Sequence, residues 1–397
     1  MRDIIIIGAG PVGSYLAYRL AEMGYQVAVL ERGEKIGWKA CCTGIIGQEC
    51  VSSFPIEDNI ILREANSAKL FSPSGRLFRV WRRENQACII DRAALDLAMA
   101  NRAQDRGAQY ILSSPVWNIE VRNNGVRVEV NRRGERLDFE ARVVVIASGF
   151  GFGLLERLGI GRVSDFVAGV QIEVEAADVD EVEVYSGQEI APGFFAWLVP
   201  ISSHRARVGL LSRRTPRLHL KGLLSSLLAQ GKIVSIEGEP SYGAIPLKPL
   251  ARTYGERLIV VGDAAGQVKP TTGGGIYYSL LCADIAANTL KTALEGDDLS
   301  AKNLAGYERG WKKKLGRELR IGYWARKLYE RLSDRQIDSL FDIMSSCGID
   351  KVLLEAEYLS FDWHSEVVLR LLRDRAVSKA VEMMKIPLSL RKEVNGS

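Results

Sequence analysis

The first thirty residues alternate between two hydrophobic patterns. Asp3–Ile7 is a short, β-branched, continuously apolar run bounded by glycine, which predicts a strand buried on both faces. Pro11–Met23 carries apolar residues at helical spacing, and Gln26–Leu30 is a second short apolar run, so the chain opens with a βαβ unit. Further along, Gly125–Val130 and Asp180–Tyr185 alternate as half-buried strands do, while Arg142–Ala147 and Leu258–Val261 read as buried strands. A long apolar helix is predicted from Ile276 to about Leu294. From about Ala301 onward the pattern is helical, with Trp311, Trp324, Tyr329, Phe341, Tyr358, Trp363 and Leu371 on amphipathic segments.

Composition narrows this picture. A chain of 397 residues, 47% hydrophobic and 25% charged, is neither disordered nor fibrous, and its length suits two domains or one large core with an inserted second layer. No stretch of 18 uncharged apolar residues predicts a bilayer span. The start of the chain lacks the layout of a secretory signal, so a cytoplasmic protein with reduced thiols is expected. The six cysteines and three histidines show no metal-ligand spacing, and no metal is expected. His204, His219 and His364 read as surface or packing residues. Residues 301–397 hold 19 basic and 14 acidic side chains, which is the whole net charge of +5. That excess is a solvated helical surface, or it attracts anionic lipid or an acidic redox partner. It is too small to make nucleic acid an expected partner.

The chemistry starts at Gly8-Ala-Gly10-Pro-Val-Gly13, between the first predicted strand and helix. Gly8 permits the tight turn, Gly10 lets backbone approach a pyrophosphate, and Gly13 lets the helix pack on the sheet. Glu31 closes the next strand and can accept hydrogen bonds from ribose hydroxyls; Arg32 follows it. Together these predict a dinucleotide site. A second signal is Leu258-Ile-Val-Val-Gly-Asp263-Ala-Ala-Gly266, an acid just after a buried strand. On its own, Asp263 could simply cap a helix.

Taken with the first motif, the Gly-Asp-Ala-Ala-Gly segment resembles the second FAD motif of p-hydroxybenzoate-hydroxylase-type flavoproteins, in which the aspartate binds the ribityl chain. Asp91-Arg92 resembles the helix-opening arginine on the flavin side of that fold. Within it, Val260-Val-Gly-Asp263-Ala-Ala-Gly-Gln-Val-Lys-Pro270-Thr-Thr-Gly273-Gly274-Gly275-Ile276 is similar to a segment of the geranylgeranyl reductase family. Pro192-Gly-Phe194-Phe195-Ala-Trp197-Leu198-Val-Pro200 resembles that family's Pro-Gly-Gly-Tyr-x-Trp-x-Phe-Pro substrate motif. Lys39-Ala-Cys41 resembles its Lys-Pro-Cys-Gly turn beside the flavin, and Val143–Ser148-Gly149 its Val-Val-x-Ala-Thr-Gly. The departures are Phe195 for tyrosine, Val199 for phenylalanine, Ile201 for a frequent lysine and Cys42 for glycine.

The resemblance implies an α/β flavoprotein. An FAD-binding Rossmann-type domain (1–70, 88–165, 250–300) is expected to interleave with an antiparallel-sheet substrate domain (71–87, 166–249), before a helical C-terminal region (301–397). It implies FAD-dependent saturation of isoprenoid double bonds in a prenyl lipid or prenyl diphosphate. The donor would be NAD(P)H or a ferredoxin-type reductant, and the membrane contact peripheral. FAD contacts are expected from Gly8, Gly10, Gly13, Glu31, Arg32, Lys39, Cys41, Arg92, Ser148, Gly149, Asp263 and Gly273–Ile276, whose N–H groups would face the flavin. Phe194, Phe195, Trp197, Leu198 and Pro200 would line the substrate site, or pack their own sheet. Cys41 and Cys42 are candidate catalytic groups that could equally be small buried hydrophobes. The same fold serves flavin monooxygenases, which would show Asp-Gly where Ser148-Gly149 stands, and flavin halogenases, whose Trp-x-Trp-x-Ile-Pro is echoed around Trp197. A lipid-binding flavoprotein without catalysis is the non-enzymatic alternative.

Overall fold

The computed structural model describes residues 1–38, 41–151, 153–236, 238–346, 360–366 and 368–369. Strand Arg2–Ile7 runs parallel between Val27–Leu30 and Glu135–Ile146, with Ile4 opposite both Val27 and Val143. Leu258–Val260 and Gln109–Ile111 extend the parallel run on its two sides. Ile4, Ile5 and Ile6 are fully buried because both faces of this sheet are covered. Helices Pro11–Glu22, Arg92–Asp105 and Ile276–Glu295 pack on one face. On the other, the antiparallel hairpin Val116–Arg122 and Gly125–Arg132 contributes Ile119, Val126 and Val128. This is the Rossmann-type layer that the alternating strand and helix patterns require.

The second sheet is built around Phe166–Ala176, Arg205–Ser212, Phe195–Pro200 and Val182–Ser186 in that spatial order, all antiparallel. Its edge is Ser67–Phe71 and Leu77–Trp81, and the first of these pairs with Val182–Ser186 in parallel. The chain therefore enters this sheet at Ser67, four residues before the boundary expected at 71. Side chains alternate between its faces. Val170, Leu198 and Leu210 pack under helix Pro216–Ala229, whereas Phe194, Trp197, Val199 and Leu211 face inward toward Ile89. Ile89 belongs to a three-stranded sheet (Ile45–Gly47, Ala87–Ile90, Ile61–Ala65) wedged between the layers. The hydrophobic pattern of the sequence does not single these strands out.

Helix Ala301–Tyr329 buries Leu304, Tyr307, Trp311 and Leu315, one stripe at helical spacing. Two polar tips fasten it to the first layer: Tyr307 OH donates to the Val260 carbonyl at 3.0 Å, and Trp311 Nε1 donates to Thr253 Oγ1 at 2.9 Å. Helix Asp334–Ser346 follows. Tyr358, Leu371 and most of the chain beyond Ser346 lie outside the described residues. Among those residues no helix is long and apolar enough to cross a membrane, and no group of three His, Cys, Asp or Glu side chains forms a metal site.

Candidate functional site

The glycines at the end of the first strand leave a cradle whose shape follows from missing side chains. Gly8 has φ +106°, and a Cβ there would lie 2.5 Å from the Ala147 carbonyl oxygen. A Cβ on Gly13 would collide with the Gly8 carbonyl, so helix Pro11–Glu22 packs this closely only with glycine at that turn. Above Gly10 the space is open, with Arg92 Nη2 the nearest atom at 3.8 Å from a built Cβ. Glu31 leaves its strand beside this turn. One oxygen accepts the Ala9 N–H at 2.8 Å and the other the Gly33 N–H at 2.7 Å. Each carboxylate oxygen keeps a second lone pair for a ribose hydroxyl. Ser148 and Gly149, the latter at φ +71°, form the adjoining lip after strand Glu135–Ile146. Arg32 is exposed on the rim, and Lys39 lies outside the described residues.

Asp91 caps helix Arg92–Asp105 by accepting the Ala93 and Ala94 N–H groups at 2.9 and 3.1 Å. That cap places Arg92 in the first turn, where Nε donates to Asp96 Oδ1 at 2.9 Å. Burial raises the pKa of Asp96, Arg92 opposes the rise, and Glu31 adds to it. Asp263 is likewise raised by burial and held down by Arg92. Asp96 first, and then the facing Cys42, keep the Arg92 guanidinium charged against its own burial. Glu31, Arg92, Asp96, Asp263 and Cys42, drawn from four distant stretches of sequence, therefore share one electrostatic neighbourhood.

Asp263 presses on the glycine loop, its Oδ1 2.7 Å from a Cβ built on Gly275. The loop departs from the sequence expectation that all its N–H groups face a ligand. Gly273 N–H donates to the Lys269 carbonyl at 2.8 Å, and Gly274 N–H leans on Thr272 Oγ1 at 3.4 Å. These bonds close the loop on itself, because a tight turn must satisfy its own donors. Gly275 and Ile276, opening helix Ile276–Glu295, have no such internal bond and retain the anion-facing position of a helix N-terminus.

The Cys41–Gly44 turn is clamped to the second sheet. Gln171 Nε2 donates to the Cys42 carbonyl at 3.1 Å. Arg207 Nη1 donates to the carbonyls of Thr43 at 2.8 Å and Ile90 at 3.1 Å, while its Nε pairs with Glu173 at 3.1 Å. Cys41 packs against the second sheet, with Sγ 3.6 Å from a Cβ built on Gly243. Burial pushes its thiol pKa up, with Cys42 adding and Ser241 opposing, so the thiol keeps its proton at neutral pH. Cys42 turns the other way, onto the first layer's core. On the sheet face beyond, Phe194, Phe195 and Trp197 form a continuous aromatic run, with ring centroids 4.9 and 6.2 Å apart. Trp197 lies over Gly209, where any Cβ would sit 2.6 Å from the indole. Leu198 points away, into the core under helix Pro216–Ala229. Strand alternation sends Pro200 to the same outer face. Neither lines the aromatic side, as expected of them from the motif alone.

Sequence reasoning missed a buried support behind the glycine loop. Lys269 Nζ donates to Asp362 Oδ1 at 2.8 Å, with the two side chains 5% and 1% exposed. Tyr278 OH donates to the Asp362 carbonyl at 2.7 Å, and Thr271 Oγ1 meets His364 Nδ1 at 2.6 Å. Residues 360–366 thus form a strap across the loop. Its partners lie about ninety residues apart in sequence, and only the Lys269-Pro270 motif hinted that the loop mattered. Two open surface grooves, of about 540 and 900 Å³, contain none of these residues.

The family model described as "Lycopene cyclase protein" matches residues 3–343. A digeranylgeranylglycerophospholipid reductase of Methanocaldococcus jannaschii is 30% identical over 361 residues, covering 88% of this chain and 92% of that one. A second reductase of that name, from Methanothermobacter thermautotrophicus, is 31% identical over 391 residues, covering 94% and 99%. The chain belongs to the geranylgeranyl reductase family. A solved geranylgeranyl bacteriochlorophyll reductase-like protein from Thermoplasma acidophilum shares the fold at TM-score 0.83 and 24% identity, over 96% of this chain and 99% of that one. The flavin-dependent brominase Bmp2 shares it more distantly, at TM-score 0.68 and 14% identity over 95% and 99%. For a geranylgeranyl reductase-family chain the cradle fits an FAD-type dinucleotide: open space above Gly10, an acid ending the second strand and a second acid under the glycine loop.

Proposed function

We propose that this chain is an FAD-dependent oxidoreductase acting on CH–CH groups, which saturates isoprenoid double bonds of a geranylgeranyl lipid or a prenyl diphosphate. The observation that carries the reading is one juxtaposition. The cradle of Gly10, Glu31, Arg92 and Asp263 is tied through the clamped Cys41–Gly44 turn to an aromatic face suited to a hydrocarbon chain. Gly8, Gly10, Gly13 and Glu31 would hold the adenosine diphosphate half of FAD, and Asp263 the ribityl chain. Arg92, Gly275 and Ile276 would stand at its flavin end. Bound and reduced, FAD supplies the hydride that an unactivated double bond requires.

This chain's own residues do the rest. Phe194, Phe195 and Trp197 hold the isoprenoid and exclude water. Cys41, protonated and half-buried, delivers a proton to the second carbon of the double bond and is reprotonated from solvent. Each bond thereby gains one hydride and one proton. Gln171 and Arg207 fix the turn that carries the thiol. Electrons come from NAD(P)H or a ferredoxin-type reductant. An apolar substrate resides in a bilayer, and Lys302, Arg309, Lys312, Lys313, Lys314, Arg317 and Arg320 are exposed along one helix. That row supports peripheral contact with anionic lipid by a cytoplasmic protein.

Stopped-flow absorbance tests the reading. Holoenzyme reduced anaerobically with one equivalent of dithionite regains its oxidised flavin spectrum when a geranylgeranyl glycerophospholipid is added. A flavin that stays reduced contradicts it.

A further inference from the structure

At one end of the aromatic run, helix Ala301–Tyr329 brings a buried guanidinium onto Phe194. Arg326 is 3% exposed, and its Cζ stands 3.6 Å from the Phe194 ring centroid. Two carboxylates lie in the same cluster, and both are occupied. Asp165 accepts from Arg213 Nη1 at 2.5 Å and Tyr323 OH at 2.9 Å, and pairs with Lys327 at 2.8 Å. Glu330 accepts from Arg213 Nε at 2.8 Å and Nη2 at 2.5 Å, and from Lys327 at 3.3 Å. Arg326 Nε is 3.6 Å from Glu330, beyond hydrogen-bond reach. Its Nε and Nη2 have no hydrogen-bond partner. Three cations thus share two acids, leaving Arg326 only loosely paired, through Glu330. Burial accordingly pulls the Arg326 pKa down to about 9, with Glu330 opposing. A buried guanidinium with open donors is costly unless a ligand completes it.

We propose that Arg326 is the recognition site for a phosphoryl oxygen at the polar end of the substrate, whose isoprenoid chain runs from there along Phe194, Phe195 and Trp197. The inference rests on the functional reading above and sharpens it. Both substrates of that reading, a prenyl diphosphate and a prenylated glycerophospholipid, carry such an oxygen; a free prenyl alcohol does not. The planar fork of a guanidinium matches phosphate oxygens in two directions at once, and the Phe194 ring beneath holds that plane in place. Fixing the polar end at Arg326 also sets which double bonds reach the flavin cradle.

The test compares holoenzyme with Arg326→Met, which keeps the aliphatic packing, and Arg326→Lys, which keeps the charge. Substrates are geranylgeranyl diphosphate, a digeranylgeranyl glycerophospholipid and geranylgeraniol. Arg326→Met should raise KM at least tenfold for a phosphorylated substrate while shifting that for geranylgeraniol less than threefold, and Arg326→Lys should recover part of the loss. An effect on one phosphorylated substrate alone identifies the physiological source of the phosphate. Calorimetric binding of inorganic diphosphate reads the same site without turnover, and should be lost in Arg326→Met at unchanged flavin content. Equal losses on all three substrates, or unaltered diphosphate binding, overturn the proposal. Absence of turnover in the parent protein with diphosphate binding intact condemns the functional reading instead.

Discussion

Glu31 and Cys41 show how single residues divide the work. Glu31 already holds the turn through the Ala9 and Gly33 N–H groups, so its carboxylate is oriented before any ribose arrives. Glu31→Ala should weaken FAD binding by about 1–3 kcal/mol, the worth of a charge-assisted hydrogen bond, as read by titrating apoprotein with FAD. Unchanged affinity would remove Glu31 from the site. Cys41 and Cys42 look alike in sequence, yet the structure turns them apart, one to the second sheet and one to the first layer. Cys41→Ala should keep FAD and change stability by no more than about 1 kcal/mol, a mild core truncation, while losing at least about tenfold in alkene reduction. Cys42→Ala should lose less; parental rates in both would reduce Cys41 to packing. The glycine and acid motifs were legible because each answers a steric or hydrogen-bonding demand written in a few adjacent letters. Gln171, Arg207 and Arg326 were not. Their roles come from what folding brings near them, and a lone glutamine or arginine in a strand or helix pattern carries no such mark.

At the scale of elements, the strap of residues 360–366 on the glycine loop adds a pH dependence. Burial, and then the positive charge of Lys269, lower the His364 pKa from 6.5 to about 4, against a smaller opposing bond to the Phe361 carbonyl. The unfolded chain therefore binds a proton before the folded one does. This contribution to stability is intact above about pH 6.5 and is lost as the pH falls toward 4. Melting temperature should drop across that window, and His364→Gln, which titrates nowhere in it, should flatten the drop. Parallel slopes in the two proteins would show that groups other than His364 govern acid sensitivity. Sequence pattern located the long elements well, from strand Arg2–Ile7 to helix Ile276–Glu295, because periodicity accumulates over length. It passed over the three-stranded wedge and placed Leu198 and Pro200 on the wrong face. A motif names residues without their strand register, and the alternation of one strand separates neighbours by the thickness of a sheet.

For the whole molecule, two layers are joined by a turn and a wedge, a strap braces the glycine loop, and exposed cations run along one helix. Binding to anionic vesicles should weaken as added salt shortens the Debye length, from about 10 Å at 0.1 M to about 3 Å at 1 M, in a flotation assay. Equal binding to neutral and anionic vesicles at both salt levels would remove the electrostatic component. The central claim is that the cradle and the aromatic face act together to saturate isoprenoid double bonds. Mass spectrometry of a geranylgeranyl glycerophospholipid, incubated anaerobically with dithionite-reduced holoenzyme, tests it most directly. The account predicts products heavier in steps of two hydrogens, formed only when FAD is bound. A lipid recovered at its starting mass, from protein that holds FAD and is fully reduced, would contradict it.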